Sequence, residues 1–442
     1  MDNNVLETDY LVVGGGAMGA AFVDELVRND SNVKIIIVDR NDRLGGHWVH
    51  SYPYVRLHQP AQFYGVNSLR LGNNSTDLSS KPEIMKYYEK VLENLQSSGQ
   101  VTFLGNHNYL GNHQVTPIDD PRQIIHIKVR KKLVDAAYMK VEVPATHPPR
   151  FEVNKGVHLV PLNNLVTEYE KWKRFYVLGA GKSGMDAVYY LINQGVDPDQ
   201  INWIIPNDVW CWNRDKVQCG VVVPFLFEHG YRQLKAKSID ELFLGLEKSG
   251  GMLRIDPVVM PKRWRGATIN EHELNTMRQV KNRIRKGRVV KITSSEIHFK
   301  DEKMNYPKDS LFVDCTSCGL SPRPIKPIMS DKLITLQPVI FLQQVFSAAV
   351  IGKLEAAVSP EKTNKLQVVT HPQYPKDWPL IYNKAVKNLV LLNRYIPYWM
   401  ATSRLNLMTH DSKFNYVKNG IEALFLANSL KKSTNLQELN SI

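Results

Sequence analysis

One six-residue arrangement occurs twice in this 442-residue chain. Gly14-Gly15-Gly16-Ala17-Met18-Gly19 and Gly179-Ala180-Gly181-Lys182-Ser183-Gly184 both place glycine at the first, third and sixth positions, 165 residues apart. Such a spacing suits a phosphate. The first glycine permits a tight turn, the second lets backbone approach a pyrophosphate, and the third lets a helix pack on a strand. The start of that helix adds free N–H groups and a partial positive charge. Each copy follows an apolar run, residues 10–13 and 175–178, and precedes a helical stretch. That is the context the motif requires. Two such turns imply a protein that holds two dinucleotides and passes electrons between them.

The residues downstream of the two turns differ. Residues 34–38 read as the second strand of the first unit, and Asp39 lies 20 residues beyond Gly19. A carboxylate there can accept both ribose hydroxyls of an adenosine. In the second unit residues 201–205 form the corresponding strand, followed by Pro206 and Asn207 where the first has an acid. The missing carboxylate removes the diol acceptor and the repulsion toward a 2′-phosphate. Arg214 and Lys216 follow and could pair with that phosphate, arginine through two parallel hydrogen bonds. His47, His50 and His58 fall within twelve residues and read as cofactor contacts, proton donors or polar lining. No acid or cysteine cluster joins them, so a metal site is not expected.

From Leu44 onward the chain resembles the flavin-dependent monooxygenases of the flavin-containing and Baeyer–Villiger types. The resemblance rests on Gly45-Gly46-His47-Trp48, on Tyr52-Pro53-Tyr54-Val55-Arg56-Leu57-His58 and on the Gly-x-Gly-x-Ser-Gly form of the second turn. Residues 140–147 look like that family's strand ending in Ala-Thr-Gly, with His147 in place of the glycine. Tyr54 likewise replaces a glycine, His58 replaces an aspartate, and residues 151–158 do not complete the family's linker signature. What the resemblance implies is FAD held by Gly14, Gly16, Ala17, Met18, Gly19, Asp39, Arg40, Gly46, His47, Trp48, His58, Gln59 and Ser347. It also implies NADPH held by Gly179, Gly181, Lys182, Ser183, Gly184 and Arg214. His47, Trp48, Arg56 and His58 form the expected active-site group. The chemistry implied is hydride transfer from NADPH to flavin, addition of O2 at flavin C4a, and oxygenation of a small organic substrate.

The expected fold class is α/β, with two Rossmann-like domains and a mostly helical C-terminal region. The FAD domain takes residues 1–164 and 301–370, interrupted by the NADPH domain at 165–300, and residues 371–442 are helical. Residues 311–317 look like a return strand of the FAD domain, and the resemblance implies that the helix opening near Phe346 aims its N-terminus at the flavin. The composition is that of a globular protein, 43% hydrophobic and 22% charged. No apolar run reaches the roughly 18 residues a membrane span needs. The polar, acidic start reads against a secretory signal, and four cysteines (Cys211, Cys219, Cys315, Cys318) suit a reducing compartment, so a cytoplasmic location is expected. Cys315 and Cys318 read as small buried residues in preference to a redox dithiol. The net charge of +13 reads as a basic surface around anionic cofactors. The basic runs 128–132 and 278–291 lack any nucleic-acid-binding signature, so no nucleic-acid partner is expected. Two further readings stand: a flavoprotein reductase without oxygen insertion, and a nucleotide-sensing or RNA-associated flavoprotein.

Overall fold

The structure is a computed structural model that describes residues 5–72, 77–317, 319–410 and 413–432. Its first sheet contains β1 (Val5–Val13), β2 (Ile35–Val38), β3 (Val101–Leu104), β4 (His107–Gly111), β5 (Gln114–Pro117) and β6 (Ile125–Asp135), in the order β3-β2-β1-β6-β5-β4. A seventh strand, Leu333–Thr335, returns to pair parallel with β6. The central strands are parallel and covered on both faces, which explains why β2 is a continuous Ile-Ile-Ile-Val run without alternation. Helix α1 (Ala17–Asn29) follows β1 and buries Phe22 and Leu26.

The second sheet is wholly parallel. Strands β7 (Leu159–Pro161), β8 (Arg174–Leu178), β9 (Ile201–Ile204), β10 (Arg283–Ile284) and β11 (Ser310–Asp314) lie in the order β10-β9-β8-β11-β7. Helix α2 (Lys182–Asn193) follows β8 as α1 follows β1. The sheets divide the chain differently from the expected boundaries. Residues 310–314 pair with β8, so they belong to the second unit, and Leu333–Thr335 makes the return to the first. Residues 140–147 are not a long strand either: Val141–Glu142 pairs with Gly319–Leu320 in a two-stranded connector between the units. The strand that leaves the first nucleotide fold is β6, which ends at Asp135.

After the return strand comes α3 (Gln344–Ala357). The α1 and α3 helices touch closely at Gly352, where a Cβ would lie 2.9 Å from the Phe22 carbonyl oxygen. Both helices follow parallel strands of one sheet, so both N-termini face its carboxyl edge. Helices α4 (Trp378–Tyr395), α5 (Pro397–Thr402) and α6 (Lys413–Lys432) complete the C-terminal region. An aromatic core docks α4 on the second unit: Trp378 lies 5.0 Å from Trp264, and Trp264 lies 6.1 Å from Trp212. The basic run 278–291 is engaged within its own unit, with Arg283 and Arg285 on Asp256, Arg285 also on Asp208, and Lys286 on Glu302. Among the described residues no helix is long and apolar enough to cross a membrane.

Candidate functional site

The two glycine turns have the same internal geometry. Gly14 and Gly179 have φ of +110° and +117°, a region open to glycine. The Gly14 N–H donates to the Val38 carbonyl at 2.8 Å, and the Gly179 N–H donates to the Ile204 carbonyl at 3.0 Å. Each presses against the backbone that follows a neighbouring parallel strand, at Ala136–Ala137 after β6 and at Cys315 after β11. Both helices begin at a glycine, Gly16 or Gly181, with no side-chain cap. Their first N–H groups therefore remain available to an anion.

This correspondence equates Val38 with Ile204, and hence Asp39 with Ile205. Asp39 is half-buried, with Oδ2 accepting the Gly15 N–H at 2.6 Å and Oδ1 accepting the Asn41 N–H at 2.8 Å. Those bonds fix the carboxylate and leave lone pairs for a ribose diol. Arg40 beside it is exposed. Ile205 is buried, so the second unit presents neither an acid nor a base at that place. Arg214 does not supply one. Its guanidinium is buried and donates to the Glu273 carboxylate at 2.7 Å and to the Thr268 carbonyl at 3.1 Å. Glu273 is itself held as the closing residue of the capping box that Asn270 starts. The expected phosphate-binding role of Arg214 is thereby replaced by an internal ion pair.

The Gly45-Gly46 loop folds back onto the first turn. The Gly45 N–H donates to the Gly15 carbonyl at 3.0 Å, and a Cβ on Gly46 would lie 2.9 Å from the Gly16 Cα. Trp48 is buried, and its indole N–H donates to the Tyr64 hydroxyl at 2.6 Å. His47 is half-buried with its ring centroid 5.2 Å from that of Trp48. His50 is exposed and bonds to Asn41.

This loop then crosses to the second unit. The Tyr52 hydroxyl donates to Asp186 of α2 at 2.5 Å, and Lys182 pairs with the same carboxylate. The Thr268 hydroxyl donates to the His58 carbonyl at 2.6 Å. The His58 imidazole is driven down to about 3, first by burial and then by the charges of Lys182 and Arg214, with Glu273 opposing. Burial alone takes His47 down to about 4. Both rings are neutral near pH 7, each with one donor and one acceptor nitrogen. The structure thus brings His47, Trp48, His58, Lys182 and Arg214 to one interface, with Gln59 half-buried beside His58 and Ser183 half-buried beside Lys182. Arg56 stands apart: it is exposed and donates to the Leu78 carbonyl. Ser347 is fully buried, and its hydroxyl donates to the Gln343 carbonyl and accepts the N–H groups of Val339 and Ile340. Its hydroxyl therefore shapes the loop entering α3 and is not presented to a ligand.

These histidines set an acid limit. His47, His58, His229 and His371 all fold with values of about 3 to 4, against 6.5 unperturbed, with burial the largest cause in each. The unfolded chain then binds more protons below pH 6.5, so this contribution is complete above 6.5 and is lost as pH falls through the folded values. The urea midpoint is expected to drop between about pH 7 and about pH 5, and His229→Phe should flatten that slope. An equal midpoint at both would contradict it.

Comparison with known proteins follows this geometry. A model of the NAD(P)-binding Rossmann-like domain matches residues 12–87, which include the first turn, Asp39 and the Gly-Gly-His-Trp loop. Uncharacterized proteins of Mycobacterium tuberculosis and Mycobacterium bovis are 36% identical over 423 residues, covering 91% of this chain and 78% of theirs. The chain belongs to their family. Among solved structures, a polycyclic ketone monooxygenase from Thermothelomyces thermophila aligns with a TM-score of 0.55 at 12% identity, over 98% of this chain and 89% of that one. A flavin monooxygenase variant from Stenotrophomonas maltophilia gives 0.51 at 12%, over 81% and 98%. A structure titled as OTEMO in complex with FAD and NADP gives 0.51 at 15%, over 81% and 83%. The family of this chain therefore has the fold of the flavin-dependent monooxygenases.

Sequence reasoning missed Tyr52, Asp186 and Thr268, which fasten the two units together, and Glu273, which holds Arg214 within the second. Two of these carry local signals. Lys182 and Asp186 stand four apart on one helix face, and Asn270 with Glu273 has capping-box spacing. Tyr52 and Thr268 act only through the fold.

Proposed function

We propose that this chain is an FAD-dependent, NADPH-consuming oxidoreductase, and specifically a monooxygenase of a small organic substrate. The observation that carries the reading is the pair of matched, uncapped glycine turns whose downstream loops meet at His58. The residues fit the two cofactors. FAD would take its pyrophosphate at Gly16–Gly19 and its ribose at Asp39. NADPH would lie on the α2 start at Gly181, Lys182, Ser183 and Gly184. Bound there, the cofactors supply hydride transfer from nicotinamide to flavin and the activation of O2.

The chain's own residues orient and enclose. Asp186 receives both Tyr52 and Lys182, and so holds the flavin-side loop against the nicotinamide-side helix. Neutral His47 and His58 can each donate or accept a hydrogen bond without adding charge beside Lys182 and Arg214. Selection of NADPH over NADH rests on the absence of a carboxylate at Ile205, with no arginine fork to strengthen it. The preference is therefore expected to be modest, at most about tenfold in kcat/KM, since a bidentate phosphate contact contributes more than that.

The test is the absorption spectrum of the purified protein with FAD. A flavin band bleached faster by NADPH than by NADH supports the assignment, and a protein that takes up no FAD overturns it. A second reading, a reductase without oxygen insertion, is favoured by neutral His58 standing where the resembled enzymes carry a carboxylate. Labelled O2 separates them: incorporation into product supports the monooxygenase, and NADPH oxidation without incorporation supports the reductase.

A further inference from the structure

A cavity of about 270 Å³ opens where three parts of the chain meet, lined by Gln62, Arg70 and Leu71 of the first unit, Cys219 of the second, and Arg404 and His410 of the C-terminal region. Among the described residues that line it are two arginines and a histidine and no carboxylate. Arg404 is directed at the backbone carbonyls of Gln62, Tyr64, Val66 and Leu69. Those carbonyls satisfy its N–H groups and are themselves uncharged. Burial holds the Arg404 guanidinium below its ordinary value; Tyr87 and the Asp24 carboxylate oppose that, and the Arg70 charge nearby pushes the same way as burial. Arg70 is exposed, and its side chain has no hydrogen bond or ion pair among the described residues. Two like charges border one small space, an arrangement that an anion relieves.

The cavity also adjoins the flavin-side loop. The Tyr64 carbonyl accepts from Arg404 at 2.8 Å, and the Tyr64 hydroxyl accepts from Trp48 at 2.6 Å. One tyrosine thus separates the two places. We propose that this cavity receives the carboxylate or phosphate group of the substrate, which makes the substrate class a small organic anion. Arg70 supplies a planar fork from the rim, suited to either oxyanion, and Arg404 supplies fixed charge behind it. The assignment to a substrate rests on the proposed flavoenzyme reading; the binding of an oxyanion does not.

The experiment is calorimetric titration of the FAD-treated protein with benzoate and with inorganic phosphate at low ionic strength, where charge contacts are least screened. Binding of either anion is expected, with Arg70→Gln weakening it about tenfold, the usual scale for one charge-assisted contact. Benzoate binding alone assigns a carboxylate, and phosphate binding alone assigns a phosphate ester. Heat from neither anion, or equal affinity in Arg70→Gln, overturns the proposal. A second readout uses Cys219, the one half-buried thiol among the described cysteines. Arg70→Gln should slow its alkylation by anionic iodoacetate about threefold or more and leave neutral iodoacetamide unchanged. Equal slowing of both reagents, or of neither, counts against an anion site. Anion binding lost with FAD uptake intact removes this inference alone. FAD refused with anion binding intact removes the flavoenzyme reading alone.

Discussion

Arg404→Ala is expected to lower the stability of the protein by about 3–5 kcal/mol, the range for stripping a buried charged donor from several acceptors at once. Residues 64–69 form no helix and no strand beyond one isolated bridge between Gly65 and Arg70, so most of their carbonyls depend on side chains. Arg404 donates to three of the segment's carbonyls, Val66 through Nε at 2.9 Å and Tyr64 and Leu69 through Nη2 at 2.8 and 2.7 Å, and to that of Gln62 just before it through Nη1 at 2.9 Å. The other side of the same segment is held by buried acids of α1. Asp24 accepts the Ser68 N–H at 3.1 Å, and Glu25 accepts the Asn67 amide and the Trp399 indole N–H. Ser403, next to Arg404, donates to Asn67 at 3.0 Å. Removing the guanidinium leaves the Gln62, Tyr64 and Val66 carbonyls to find water or stay unpaired, while Leu69 keeps the Tyr87 hydroxyl at 3.0 Å. Arg404→Lys keeps the charge but has only three donors on one nitrogen, so it should recover less than half of the loss. Urea unfolding followed by far-UV circular dichroism reads both variants. An alanine variant within about 1 kcal/mol of the parent would show that the segment can re-satisfy itself.

What could be read from the sequence follows the distance over which each constraint acts. The nucleotide turns were legible because their steric demands close within six residues. Gly19 exists to clear Gly14, and the apolar strand before and the helix after lie in the same short window. Asp39 was legible because a strand end fixes its distance from the turn. Arg214 was misread for a related reason: its neighbours in sequence suggest an exposed loop, while its acid, Glu273, comes from another element 59 residues on. The carbonyls that Arg404 holds lie 335 to 342 residues upstream, and a carbonyl leaves no mark on a residue's identity. The return strand shows the same limit. Residues 310–314 and 333–335 are both short apolar runs, and pairing with β8 or β6 decides which sheet each joins. Ser347 sits at a helix start, where a serine reads as a ligand contact, until the Val339 and Ile340 N–H groups are seen to use its hydroxyl.

Glycine substitutions in the two turns should separate the nucleotide sites from each other and ligand binding from folding. A Cβ on Gly19 would lie 2.1 Å from the Gly14 carbonyl oxygen, and one on Gly184 would lie 2.0 Å from that of Gly179. Both obstacles are backbone atoms of the turn just past a strand, so the helix start must move and carry its N–H groups off the phosphate position. Gly19→Ala is expected to weaken FAD binding at least about 100-fold, equivalent to ~2.7 kcal/mol. Gly184→Ala should keep the flavin spectrum while losing NADPH-driven bleaching, and should also lower the urea midpoint. The sharper test is Gly181, where a Cβ meets nothing within 4 Å and φ is an ordinary −73°. The protein alone has room for that methyl group, so Gly181→Ala should unfold at the parent's urea concentration. A pyrophosphate drawn onto the α2 N-terminus has no such room, because the second glycine of this turn is where backbone and phosphate approach. Stopped-flow reduction of the FAD-loaded variant should therefore show a KM for NADPH raised about tenfold or more, with stability unchanged. If Gly181→Ala instead reduces its flavin with the parent's KM, the second glycine turn is a strand-to-helix connection and the nicotinamide binds elsewhere.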